Sequence, residues 1–279
     1  MGEAAAPPAS APVRQRRGWL AGIAGALTLG ALGAGMAGWL AWHTAPDLPD
    51  NQTVLEIAQP LVPGATLTVD RRHEPPFGYD PPYDGQRARF YGSDDYYGGY
   101  VSVRVEPSPQ DLTGAVRTAR RALAADGWTV HTREPHLPGM DEGVAAVKGD
   151  LVLQVYPGDG NLLTLEVDRR QPWPVGPLVA LGGLAGLALG WVGMRRLVAR
   201  APLAAGFAGA GILVLAPCTL ITVPIVAVMY LAPDTETVAS WDIYTAMIFR
   251  PLGNIGFALL IVAAVVACFE RRRTTTTVS

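Results

Sequence analysis

Few residues in this sequence are of the type and spacing that support chemistry. Four histidines, His43, His73, His131 and His136, lie outside the long apolar runs. Their spacing matches no zinc signature, and His131 and His136 meet only across a turn. Asp80, Asp84, Asp94 and Asp95 could hold calcium weakly, but no calcium-loop spacing surrounds them. Neither a Gly-x-Ser-x-Gly nucleophile elbow nor a phosphate-cradling glycine loop occurs. No catalytic, cofactor-binding or metal residue is assigned, and the chain is not expected to be an enzyme.

Tyrosine gives a stronger signal. Six of the nine tyrosines fall between positions 79 and 100. Tyr79, Tyr83, Tyr91, Tyr96 and Tyr97 are the candidate contact residues, set among Pro75, Pro76, Pro81, Pro82 and several glycines. The stretch 71–99 keeps no apolar period and reads as a long loop. Loops of this length are commonly functional. Tyrosine offers apolar area with a polar tip, which suits contact with a cell-wall glycan or a protein of the envelope.

The elements that position this loop follow from composition. Of 279 residues, 49% are hydrophobic and 16% charged, against about 25% charged in soluble domains. A net charge of −2 gives no support for nucleic-acid binding. Apolar runs at 18–42, 173–194, 202–231 and 246–269 each reach the roughly 20 residues a membrane helix needs. The first run is longer than a typical signal-peptide core. Residues 1–17 read as a disordered tail ending in arginines.

Arginine placement sets the expected orientation. Arg14, Arg16 and Arg17 precede the first run; Arg195, Arg196 and Arg200 fall in the connection 195–201; Arg271 to Arg273 lie in the tail 270–279. The connection 232–245 has no basic residue and carries Asp234, Glu236 and Asp242. By the positive-inside rule both termini are cytoplasmic and residues 43–172 are outside. Trp19, Trp39, Trp42, Trp173, Trp191 and Trp241 mark the run ends as an aromatic belt would. Arginine outnumbers lysine 21 to 1, a coding bias that points to a bacterial source; with the four apolar runs the expected location is the plasma membrane.

Residues 43–172 hold 19 acidic and 12 basic residues, a net charge near −7. Val101, Val103 and Val105 alternate as in a half-buried strand. Ser108-Pro109-Gln110-Asp111 reads as a helix start with Ser108 as cap. Leu112, Ala115, Val116, Ala119 and Leu123 follow at helical spacing, and Gly127 ends the helix. Strand-like stretches then run to Val167, and Val54–Val69 adds an element before them. The expected fold is four transmembrane helices with an inserted α+β domain, one helix on an antiparallel sheet.

Three features of the runs bear on function. Gly18, Gly22, Ala26, Gly30, Ala34 and Gly38 recur every fourth residue, read as one nearly straight groove, and Gly182, Gly186 and Gly190 repeat the device. Gly22, Gly30, Gly38, Gly182, Gly186 and Gly190 are therefore candidates for helix packing within the chain or for a homodimer. Pro217 and Pro224 kink the third run beside Cys218, Thr219 and Thr222, a pattern compatible with a transport or channel role. Arg250, the lone charge within a run, stands one turn before Asn254. It could pair with a carboxylate or snorkel to lipid headgroups. An assembly subunit is a third reading.

Overall fold

A computed structural model of the chain describes residues 11–79, 96–133, 143–158, 162–231, 241–245 and 249–276. Two compact units divide it: Trp42–Pro81 with Asp95–Pro172, and the remainder.

The first unit is built on an antiparallel sheet. Strands β1 (Thr66–Arg72), β4 (Tyr100–Glu106), β5 (Thr129–Arg133), β6 (Gly143–Lys148), β7 (Leu151–Gly158) and β8 (Leu162–Arg169) pair in the order β1-β4-β8-β7-β6-β5. The alternation in the sequence becomes a division of faces. Val101, Val103, Val105, Leu153, Val155, Leu163, Leu165 and Val167 are buried in one core, as period-2 strands require. Gly149 (φ 61°) turns β6 into β7, a left-handed position that favours glycine.

Two helices share that core, where one had been expected. Helix α2 (Asn51–Ala58) buries Val54 and Ala58, and the 3-10 turn Gln59–Leu61 adds Leu61. Asp50 caps α2 by accepting from the Thr53 amide at 2.7 Å. An eight-residue helix spans little more than two turns, too short for a clear apolar period. Helix α3 (Leu112–Ala125) buries Val116, Ala119 and Leu123 on the face the sequence marked. Its cap is Asp111, which accepts from the Gly114 amide at 2.8 Å. Ser108 is not the cap: its hydroxyl accepts from the Leu163 amide at 3.1 Å and ties the chain to β8. With the Ser108 hydroxyl engaged by β8, the helix begins at Leu112 behind Asp111. The far end closes as a Schellman motif. Trp128 N donates to Leu123 O at 3.0 Å and Gly127 N to Ala124 O at 3.3 Å, with Gly127 at φ 79°.

The stretch expected to be a loop over 71–99 is framed by strands. Arg71 and Arg72 finish β1, and β2 (Phe77–Tyr79) pairs with β3 (Tyr96–Gly98) as a two-stranded ribbon. Strands of three residues, each with one glycine, are too short to leave a periodic trace in sequence.

The second unit is helical. Among the described residues four helices carry segments long and apolar enough to cross a membrane: α1 (Ala11–Trp42), α4 (Val175–Arg200), α5 (Pro202–Leu231) and α7 (Arg250–Thr276). A short helix α6 (Asp242–Thr245) precedes α7. The arginines expected in a connection at 195–201 continue α4 to Arg200. Pro217 and Pro224 lie inside α5, on a side that exposes Leu213 and Leu220, while Leu215, Cys218, Thr219 and Thr222 are buried. The missing hydrogen bonds therefore fall on the outer side of the helix.

Helices α1 and α4 touch backbone to backbone. A Cβ on Gly33 would strike the Gly182 carbonyl, and one on Gly182 the Gly33 carbonyl; one on Gly186 would strike Leu29 O, and one on Gly190 would strike Gly25 O. The every-fourth stripe read from the sequence lies in the contact: Ala26 faces Gly190, Gly30 faces Gly186 and Leu187, and Ala34 faces Gly183. A second row beside it, Gly25, Leu29, Gly33 and Ala37, also steps by four and makes the closest backbone approaches. Gly22 meets Trp191, and Gly38 is buried.

Candidate functional site

The tyrosine segment is rooted on the β1–β4 edge of the sheet. His73 and Tyr100 continue the β1–β4 pairing: His73 N donates to Tyr100 O at 2.9 Å, and Tyr100 N to His73 O at 3.1 Å. Gly99 N then donates to Pro76 O at 3.1 Å, and the ribbon follows. One long hairpin thus bends at an elbow formed by Glu74, Pro75 and Pro76 on one strand and Gly99 on the other. Beyond it Tyr79 pairs with Tyr96, and Gly78 with Tyr97. These three candidate tyrosines occupy one end of the ribbon. Tyr83 and Tyr91 lie outside the described residues.

A buried arginine holds the elbow. Leu163, Leu165 and Val167 point into the core, and Arg169 is the next residue in that inward register, only 6% exposed. Its Nε donates to Pro46 O at 2.7 Å and its Nη2 to Glu74 O at 2.7 Å. It therefore joins the segment after α1, the bend of the hairpin and the end of β8. Gly99 lies flush against Nη1, and a Cβ there would also come within 2.8 Å of His73 O. Trp42 packs edge-on to Phe77 beside this point, with ring centroids 4.9 Å apart.

The electrostatics suit a clamp better than an acid–base pair. Burial pushes the His73 imidazole below its usual range, and the Arg71 and Arg169 cations push it further. His73 is held neutral. Burial also lowers Arg169, opposed by the Glu74 and Asp47 carboxylates. Glu74 itself is lowered by the hydrogen bond it accepts from Arg72. Among the described residues His73 Nε2 and Arg169 Nη1 carry no hydrogen-bond partner.

Beside the ribbon lies the second face of the sheet. Helices α2 and α3 both pack on the first. On the second, Arg71, Ser102, Glu166, Gln154, Ala145 and His131 form one row across all six strands by direct pairing. Tyr100 and Asp168 form the start of the next row. Gln154 Nε2 donates to Asp168 Oδ2 at 2.8 Å, and the Arg71 guanidinium stands 5.5 Å from the Tyr100 ring centre. This is a half-buried polar surface of amide, carboxylate, guanidinium and ring.

Within the helical unit a second polar group forms. Thr219 Oγ1 and Tyr244 Oη are 3.3 Å apart, and Thr222 Oγ1 is buried with no partner among the described residues. Arg250 opens α7 one turn before Asn254, and both are partly exposed. Among the described residues no group of three or more His, Cys, Asp or Glu could hold a metal ion.

Sequence reasoning named His73 only to set aside a zinc role, and it missed Arg169 and Gly99, as well as Gly25 and Gly33. For Arg169 a signal existed: it extends the apolar period of β8 by one step. For the others none did, because each is defined by a partner distant in sequence.

Comparisons with family models, with curated proteins and with solved structures return no match.

Proposed function

We propose that this chain is a non-enzymatic, multi-pass protein of a bacterial plasma membrane whose outer domain binds an envelope protein or a cell-wall glycan. Both termini are cytoplasmic in this reading and residues 43–172 are outside, in keeping with the three arginine clusters. The observation that carries it is the elbow: a buried Arg169 clamp fixes the tyrosine ribbon on the edge of a sheet whose second face is polar. A rigid root lowers the ordering cost of a contact. Tyr79, Tyr96 and Tyr97 are the contact residues of the ribbon, with Tyr83 and Tyr91 between them in sequence.

The test is crosslinking of the full chain in intact cells, followed by mass spectrometry of what co-purifies. The wild type should capture one envelope component, and the triple variant Tyr79→Ser, Tyr96→Ser, Tyr97→Ser should lose it. An unchanged capture pattern would sink the proposal. The small-residue faces of α1 and α4 are spent on each other, so they lend a homodimer no support. A transport or channel role is favoured by one observation, the hydroxyls of Thr219, Thr222 and Tyr244 inside the helical unit. Thr222→Val should then alter flux in reconstituted vesicles, and unchanged flux would remove that reading.

A further inference from the structure

At one end of the α1–α4 pair an arginine is held between two indoles. Trp19 of α1 and Trp191 of α4 meet edge-to-face, with centroids 5.1 Å apart and planes at 83°. The Arg195 guanidinium stands 5.2 Å from the Trp191 ring centre and 5.7 Å from that of Trp19. Gly22 makes this possible. A Cβ there would lie 2.9 Å from Trp191 Cε3 and 3.2 Å from Arg195 Cγ. Among the described residues neither the guanidinium nor either indole N–H has a hydrogen-bond or ion-pair partner.

We propose that Trp19, Trp191 and Arg195 form a binding site for the phosphate of an anionic phospholipid. Three features on the page select that ligand. The fork of the guanidinium matches a phosphate in two directions, and its position on the rings is set before the ligand arrives. Arg196, the next residue, and Arg200, little more than a turn on, are both exposed and raise the local positive field. Apolar surface lies directly alongside: Leu20 is 68% exposed, Ile23 46% and Val192 44%, which offers acyl chains a contact that free phosphate cannot use. The site sits where the candidate span of α1 begins and that of α4 approaches its end, the level at which tryptophan and arginine meet headgroups. The inference rests on membrane insertion and is independent of what the outer domain binds.

The experiment is native mass spectrometry of the full chain from neutral detergent. Phosphatidylglycerol is titrated against phosphatidylcholine with the same acyl chains, and inorganic phosphate forms a separate arm. The wild type should retain phosphatidylglycerol preferentially. Arg195→Ala should weaken that retention about five-fold, the worth of one basic residue near a membrane surface. Arg195→Lys, which keeps charge and fold but lacks the fork, should fall between. Trp191→Leu should weaken it too, and Arg196→Ala should do so less than Arg195→Ala. Equal retention by wild type, Arg195→Ala and Arg195→Lys would overturn the site. Equal losses at 195 and 196 would reduce it to diffuse attraction and overturn it also. Displacement of the lipid by an equal concentration of inorganic phosphate would overturn the lipid assignment.

Discussion

Replacing Arg169 with methionine keeps an unbranched stem about as far as Nε and removes the charge and the two donors used here. Pro46 O and Glu74 O, each now 2.7 Å from an Arg169 nitrogen, would lose their partners in a part-buried site. A hydrogen bond from a charged donor contributes about 1.5–3 kcal/mol, so the pair together contributes about 3–6 kcal/mol. Removing a buried cation returns part of its desolvation cost, which is several kcal/mol. The lower end, about 3 kcal/mol, is the expected net loss, or roughly 100-fold in a local opening equilibrium at 1.4 kcal/mol per decade. Hydrogen exchange on the full chain reads this directly. The His73 and Tyr100 amides, paired across the elbow, should exchange about 100-fold faster. Amides in the middle of the central pair β7 and β8, such as those of Leu153 and Leu165, should change far less, because they lie away from the Arg169 end. If the two elbow amides exchange within a factor of three of wild type, the clamp contributes nothing and the reasoning is wrong.

The other expectations follow from the same geometry. Gly186→Leu forces a side chain into the Leu29 carbonyl and should cost about 1–3 kcal/mol of stability by overpacking; Gly193→Leu, where nothing lies within 4 Å, should leave the unfolding midpoint unchanged, and equal effects would refute the α1–α4 interface. His73 has a depressed folded value, so its contribution is full above the unfolded value of 6.5 and is lost as pH falls through the folded one. A denaturant series from pH 7.5 to 5 should show this slope, and His73→Gln should flatten it. Asp111→Ala removes the cap of α3 and should cost about 1 kcal/mol, whereas Ser108→Ala should leave the exchange of the Gly114 amide at its wild-type rate.

The one-dimensional signals that survived into the structure are local or depend on length alone. The apolar runs are helices because a stretch that long without charge has few alternatives. The valines of β4 and the apolar stripe of α3 point inward because residue period and element period agree. The end of α3 at Gly127 was legible for the same reason, since a left-handed C-cap needs glycine. Its start was not: both Ser108 and Asp111 are good caps, and the Ser108 hydroxyl is taken by the Leu163 amide, 55 residues away.

What tertiary structure decided concerns pairs far apart in the chain. A stripe of glycines says that a close approach is possible, yet the row that approaches most closely depends on the partner. Gly25 and Gly33 acquired their role from Gly190 and Gly182, some 150 residues away. Arg169 reads in sequence as one more charge at the end of a strand. It becomes a clamp because the fold brings Pro46 and Glu74 to it, 123 and 95 residues distant. Arg195 reads as a topological marker, and Gly22, which leaves room for Trp191 and Arg195 beside α1, makes it a positioned guanidinium. Sequence specifies which residues prefer water, lipid or a turn; three-dimensional packing specifies which of them meet, because contact depends on chain crossings that no local pattern encodes.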